Sequence, residues 1–223
     1  MEKKYRTEKD PEGFLRIIAL KDFYDVKKGD RGGWIKSEEN LSQYGDCWVY
    51  DRAYVSDDAR VSGNARVCGE TWVFENAKIC GNAVVFDNAQ IYGHALVSGF
   101  AQVSGDARVY GKAQVSGNAM ISGLAHIEGN AKIYENAKIG GDADVYGEAK
   151  ISGDVKLWST DGPYVSTSIE NNKDYVILGS NKGEFYIYSS NIENITITTD
   201  ITSTAADYIK NIQTIRQLYG EEI

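Results

Sequence analysis

The sequence predicts an all-β solenoid, a parallel β-helix with capped ends, and three observations carry that prediction. From Cys47 the chain can be written in sixes as CWVYDR, AYVSDD, ARVSGN, ARVCGE and onward to AKISGD, with the consensus A-x-[VI]-x-G-[ND] and no residue inserted. Every sixth position from Val49 to Leu157 is aliphatic, and those from Ala53 to Ala149 are Ala except for Thr71. Proline is nearly absent, with 2 residues against 23 glycines, and the glycine recurs at one place in the unit. A short fixed period of this kind marks a repeat architecture.

The unit explains its own geometry. Ala and the β-branched residue stand two apart, so they point to the same side of an extended strand while their neighbours point to the other. Gly and Asn after them tolerate positive φ and supply a corner. Strand, corner and a strict six describe a prism-shaped coil. Ala leaves space near the corner, Val or Ile fills the flat, and parallel strands about 4.8 Å apart complete the hydrogen bonds.

Composition narrows the function classes. At 42% apolar and 25% charged the chain is globular, and a net charge of −8 argues against attachment to a long nucleic acid or an anionic membrane by bulk electrostatics. The three cysteines (Cys47, Cys68, Cys80) form no CxxC pair, so neither a disulfide framework nor a metal site is indicated. No apolar run reaches the ~20 residues of a membrane span, and the start MEKKYRTEKDPEG lacks the apolar core of a signal peptide. The expectation is a cytoplasmic protein.

The repeat resembles the hexapeptide-repeat proteins, whose fold is a left-handed parallel β-helix with three hexapeptides per coil. The leader is more specific. Its GGW (Gly32 to Trp34), LSQ (Leu41 to Gln43) and GDCWVYD (Gly45 to Asp51) resemble the start of the YdcK-like hexapeptide-repeat group, named as acyltransferases, and of similar proteins carried by phages and prophages. The resemblance implies a homotrimer and, for the catalytic members, a His general base with acetyl-CoA bound between subunits.

The predicted elements follow in order. Residues 1–46 form an N-terminal cap, in which FLRIIAL (14–20) is a strand and KKGDRGGW a Gly-rich turn; such a cap hides the open strand edges of a solenoid. No phosphate-binding glycine motif is present. Residues 47–158 form the rod, and at the 18 residues per coil that the resemblance implies, residues 47–154 make six coils, roughly 29 Å long at ordinary strand spacing. After Trp158 the period stops at STDGP, and residues 159–223 read as a small α+β domain. Strands are expected at 174–179, 184–189 and 194–199 as a three-stranded meander, then a helix from about Thr204 to Tyr219.

Stacking residues 18 apart separates three faces. One, with Arg60, Lys78, Lys132 and Lys150 among serines, is a solvated face; a mixed face carries Trp48, Tyr50, Val84, Phe86 and Met120 and is partly covered. The remaining face holds Tyr54, Trp72, Phe74, Tyr92, Tyr110 and Tyr146, interleaved with Gln90, Arg108, His126, Glu128 and Asp144. It is too aromatic for water alone.

Two readings of that face compete. As a subunit interface it uses the aromatic and Arg enrichment of interface centres. As a cleft between protomers it captures a small nucleotide-like ligand, with Trp72, Tyr92, Arg108, Tyr110 and His126 in contact, ring faces stacking a base and Arg meeting phosphate. The concrete form is sequestration of a host nucleotide signal by a phage protein. Catalysis is the alternative, with His126 as base and Glu128 beside it, because His94 sits at a corner; an unbroken period leaves no active-site loop. A structural scaffold is a third class.

Overall fold

The computed structural model describes residues 2–11 and 13–153 in full, and beyond them Leu157 and the strand backbones at 156–159, 164–170, 173–180, 183–188 and 196–198. It is a parallel β-solenoid of about seven turns. Three strands open the chain, β1 (Tyr5–Lys9), β2 (Leu15–Ala19) and β3 (Arg31–Ile35). From β4 (Trp48–Val49) to β21 (Lys150–Ile151) there is one short strand per hexapeptide.

The strands sort into three sheets, and each pairs in parallel with the strand 18 residues on, as in Tyr54↔Trp72, Gln90↔Arg108 and Arg108↔His126. The alanines and the aliphatic residues point inside, from Ala53 and Val55 to Ala149 and Ile151, all buried. Thr71, the one exception in the Ala column, keeps its hydroxyl inside by donating to the Cys68 carbonyl at 2.6 Å. A buried hydroxyl without that partner would destabilise the coil by roughly 1–3 kcal/mol.

The corners are tight turns in which the Ala of the next unit donates back across the Gly, as Ala65 N does to Ser62 O at 3.3 Å. Positive φ falls on the first central residue (Gly63, φ 68°) and not on the second, the pattern of a type II′ turn. Asp or Glu replaces that Gly at Asp51, Asp57, Glu75, Asp87 and Glu135, all at positive φ. Each places a carboxylate oxygen on the backbone N–H of the residue 18 further on.

The leader adds an irregular coil to the repeat and closes the rod. β1, β2 and β3 pair antiparallel in turn, and β3 lies parallel on Tyr54–Val55. The GGW expected in a turn is therefore strand. Glycine is needed there for close approach: a Cβ on Gly32 would lie 2.5 Å from Val49 O, and one on Gly33 2.5 Å from Ala53 O. Carbonyls of the first regular coil that lack a preceding strand are met by side chains. Asn40 Nδ2 donates to Asp57 O and Ala59 O at 2.9 and 2.8 Å, and Lys4 Nζ to Gly45 O and Cys47 O at 3.1 and 2.9 Å.

The same leader covers the start of the mixed face. Trp48 is buried with its ring edge-on to Tyr5 and Phe23, and Arg66 lies over the Tyr24 ring.

At the far end, β22 (Lys156–Ser159) continues one sheet, and β23 (Tyr164–Glu170), β24 (Lys173–Ser180) and β25 (Gly183–Tyr188) continue the aromatic-face sheet beyond Asp144–Gly147. The last strand, β26 (Thr196–Thr198), corrects the expected meander: it pairs in parallel with β22 and not with β25. An open solenoid edge presents a whole row of unpaired groups, which competes with the local hairpin for the strand. The helix expected from about Thr204 to Tyr219 lies outside the described residues. Among the described residues no helix is long and apolar enough to cross a membrane.

Candidate functional site

The face singled out by its aromatic residues is one continuous sheet, and its outward side chains form two columns. In the first, Trp34, Tyr54 and Trp72 stack at 6.1 and 5.4 Å between centroids, then give way to Gln90, Arg108, His126 and Asp144 in register. In the second, Phe74, Tyr92 and Tyr110 stack at 4.8 Å with planes within 7° and 3° of parallel. The 4.8 Å is the strand spacing itself. Rings on successive strands of a parallel ladder therefore stack because the backbone places them so.

This geometry changes what each ring can do. Tyr92 has both faces occupied, by Phe74 and Tyr110, and Tyr54 lies between Trp34 and Trp72. The expectation that ring faces all along the column stack a base is corrected for these two, which present edges and hydroxyls instead. Trp72 differs. It stacks on Tyr54 on one side, faces the step held by Gln90 on the other, and is 53% exposed.

Below Tyr110 the face becomes polar. His126 Nδ1 lies 3.2 Å from Asp144 Oδ1, and the imidazole meets the Tyr110 ring edge-on at 6.5 Å. Partial burial together with the neighbouring Glu128 carboxylate pushes the Tyr110 phenol well above its usual range. Burial, opposed by His126 and reinforced by Glu128, also raises Asp144. Arg108 is exposed one coil before His126. Tyr92 is raised by burial, with Arg108 opposing.

The comparisons with known proteins bear on the rod. The YdcK β-solenoid repeat model matches residues 53–69, 59–74, 89–99, 101–113 and 113–129, which include Tyr54, Trp72, Arg108, Tyr110 and His126. These segments of the rod are similar to YdcK-type β-solenoid repeats. The chain is 49% identical over 41 residues to the Escherichia coli (strain K12) protein named "Uncharacterized acetyltransferase YdcK". That stretch covers 18% of this chain and 13% of the relative's length.

Within the rod all five predicted ligand residues (Trp72, Tyr92, Arg108, Tyr110 and His126) lie on one face, over strands spanning four coils. Glu128 joins Tyr110 and His126 there, whereas His94 is an exposed corner residue on another edge. Among the described residues no group of three or more His, Cys, Asp or Glu could hold a metal ion.

Sequence reasoning missed the N-terminal end of the face. Arg16 stacks over Trp34 at 4.9 Å, and Phe14 meets Tyr54 edge-on at 4.9 Å with Lys36 over its own ring at 4.8 Å. Trp34 precedes its partner Tyr54 by 20 residues and not 18, so counting by coils passes over it. The excess of aromatic residues in the leader is the signal that remained.

Proposed function

We propose that this chain is a non-catalytic binding protein, a homotrimer joined along the aromatic face, that captures a small nucleotide-like ligand in the clefts between subunits. The observation that carries the reading is the junction on that face. A stacked aromatic column ends in a half-exposed Trp72, and the next steps of the same column are Gln90, Arg108 and His126. A permanent interface core is depleted in charge, whereas a cleft that takes a flat, anionic molecule needs a ring, a polar reader and a cation at successive heights.

In this reading the open side of Trp72 stacks the base, the Gln90 amide reads its edge, and Arg108 meets a phosphate. Tyr92 and Tyr110 offer ring edges and hydroxyls to the same cleft. The resemblance of the leader to phage and prophage proteins supports a specific role: sequestering a host nucleotide signal in the host cytoplasm, as an anti-defence protein.

A second reading is acetyl transfer from acetyl-CoA, favoured by the contact of His126 with Asp144 and by the printed name of the E. coli relative. Asp144 accepting from Nδ1 would fix the tautomer and leave Nε2 as the base for an acceptor amine or hydroxyl, the role Glu128 shares as a second carboxylate.

The readings part on two substitutions, Arg108→Ala and Tyr110→Ala. Binding of cyclic nucleotides and ADP-ribose derivatives is measured by equilibrium dialysis, and assembly by sedimentation velocity. Lost binding with an intact trimer supports the cleft, and dissociation of the trimer reduces the face to a plain interface. Unchanged binding and assembly would remove this face from the site.

A further inference from the structure

Outside the aromatic face the molecule buries one pair of reactive groups that the proposed function does not use. Lys4 is 1% exposed and Cys47 fully buried, and Lys4 Nζ lies 3.2 Å from Cys47 Sγ. The ammonium-bearing carbon chain is fixed by the contacts to Gly45 O and Cys47 O and by the Phe23 ring 5.3 Å from Nζ. The sulfur faces the carbonyls of Ser42, Tyr44 and Val61 at 3.6–3.7 Å. Lys4 precedes β1 and Cys47 precedes β4, so the pair ties the outermost strand of the cap to the first regular coil.

We propose that Lys4 and Cys47 are the site of a redox-controlled covalent cross-link, an Nζ–O–Sγ bridge that locks the N-terminal cap onto the rod. The oxidant is dioxygen, small and apolar enough to reach a buried sulfur. Amine, thiol and one dioxygen give the bridge and one water. The N–O and O–S bonds form while the O–O, one N–H and the S–H bonds break; nitrogen and sulfur each give up two electrons, and dioxygen takes all four. Both protons leave in the water. Four equivalents of a small thiol reverse the reaction, restoring amine and thiol with two disulfides and one water.

Two features of the site favour the bridge over ordinary thiol oxidation. Holding the two atoms near contact replaces a bimolecular encounter with an intramolecular one. Burial also lowers the Lys4 pKa and so favours the free amine that the reaction consumes, while the same burial keeps peroxide and bulk water from carrying the sulfur on to higher oxides. Among the described residues no lysine nitrogen lies within hydrogen-bond distance of Cys68 or Cys80, which makes them internal controls.

The test is intact-mass and peptide-mapping mass spectrometry of the full chain, reduced anaerobically and then exposed to air. The expected product is heavier by about 14 Da, one oxygen gained and two hydrogens lost, with the peptides of residues 4 and 47 joined and released by dithiothreitol. Cys47→Ser, which leaves the Lys4 contacts to the carbonyls in place, abolishes the gain and also the rise in thermal midpoint on aeration. Lys4→Met abolishes it too, but that variant also strips two carbonyls, so Cys47→Ser carries the decision. Cys47 recovered as a thiol, or as a sulfinic acid with Lys4 unmodified, overturns the proposal.

Discussion

The Asp87 carboxylate accepts the backbone N–H of Gly105, one coil further along the rod, at 3.0 Å. Asp87 sits at φ 61°, where a side chain other than Gly is strained by about 1–2 kcal/mol, and the bond between coils offsets that cost. Asp87→Ala keeps the strain and loses the bond, so it is expected to lower unfolding free energy by about 1–2 kcal/mol. Asp87→Gly relieves one as it loses the other and stays within about 0.5 kcal/mol of the parent. Urea denaturation of the two variants checks the difference; equal losses would show that the positive φ carries no strain, and an unchanged Asp87→Ala would show that the carboxylate contributes nothing.

Closure of the rod depends on the two glycines of the leader. Gly33→Ala sets a methyl group 2.5 Å from Ala53 O and 2.8 Å from Val49 Cγ1, so β3 must lift from the first coil. A loss of about 1–3 kcal/mol in urea is expected, the range for overpacked cores. Gly29→Ala is the control for local clash, because no atom lies within 4 Å of its Cβ position, although its φ of 95° carries its own backbone strain.

Asn40 stands in for missing backbone. Asn40→Ala leaves Asp57 O and Ala59 O without donors and frees the Ser37 amide held by Oδ1, while the Lys36 amide keeps the Val55 carbonyl at 2.9 Å. Each orphaned group costs about 1–3 kcal/mol when buried. Hydrogen exchange is expected to speed up first at Ser37, ahead of the middle of the rod; uniform exchange would contradict the capping role.

Much of this was legible from residues alone. The sixfold period fixed strand, corner and inward residue, and with the three hexapeptides per coil that the resemblance implies, counting by 18 placed Trp72, Arg108 and His126 on one face, because parallel pairing at constant register leaves no freedom. The leader was not legible in the same way. Gly32 and Gly33 read as a turn because their reason for being glycine lies in Val49 and Ala53, close in space and invisible to local spacing. The pairing of Thr196–Thr198 with Lys156–Trp158 is likewise a long-range choice. At the site, the columns were legible but the occupied faces of Tyr54 and Tyr92 were not, since stacking depends on ring tilt as well as on register.

Asp144 gives the site a pH signature. Its folded pKa is raised, chiefly by burial, so the folded state holds the proton more tightly than the unfolded chain does. Its stabilising contribution is therefore complete below the ordinary carboxylate range near 3.9 and is lost as pH rises through the folded value. Asp144→Asn removes that loss. The variant is expected to gain stability relative to the parent as pH rises through the carboxylate range, with no further change toward neutrality; a gain that grows on acidification would mean that pairing with His126 outweighs burial.

The central claim is capture without chemistry, and mass spectrometry of a defined mixture tests it most directly. Cyclic nucleotides, ADP-ribose derivatives, acetyl-CoA and acceptor amines are analysed before incubation with the purified chain, after it, and again after heat release. The account predicts that one nucleotide-like compound disappears from solution and returns intact on denaturation. A compound that returns acetylated or cleaved would contradict it and establish an enzyme, and a mixture left untouched would leave the rod as a scaffold.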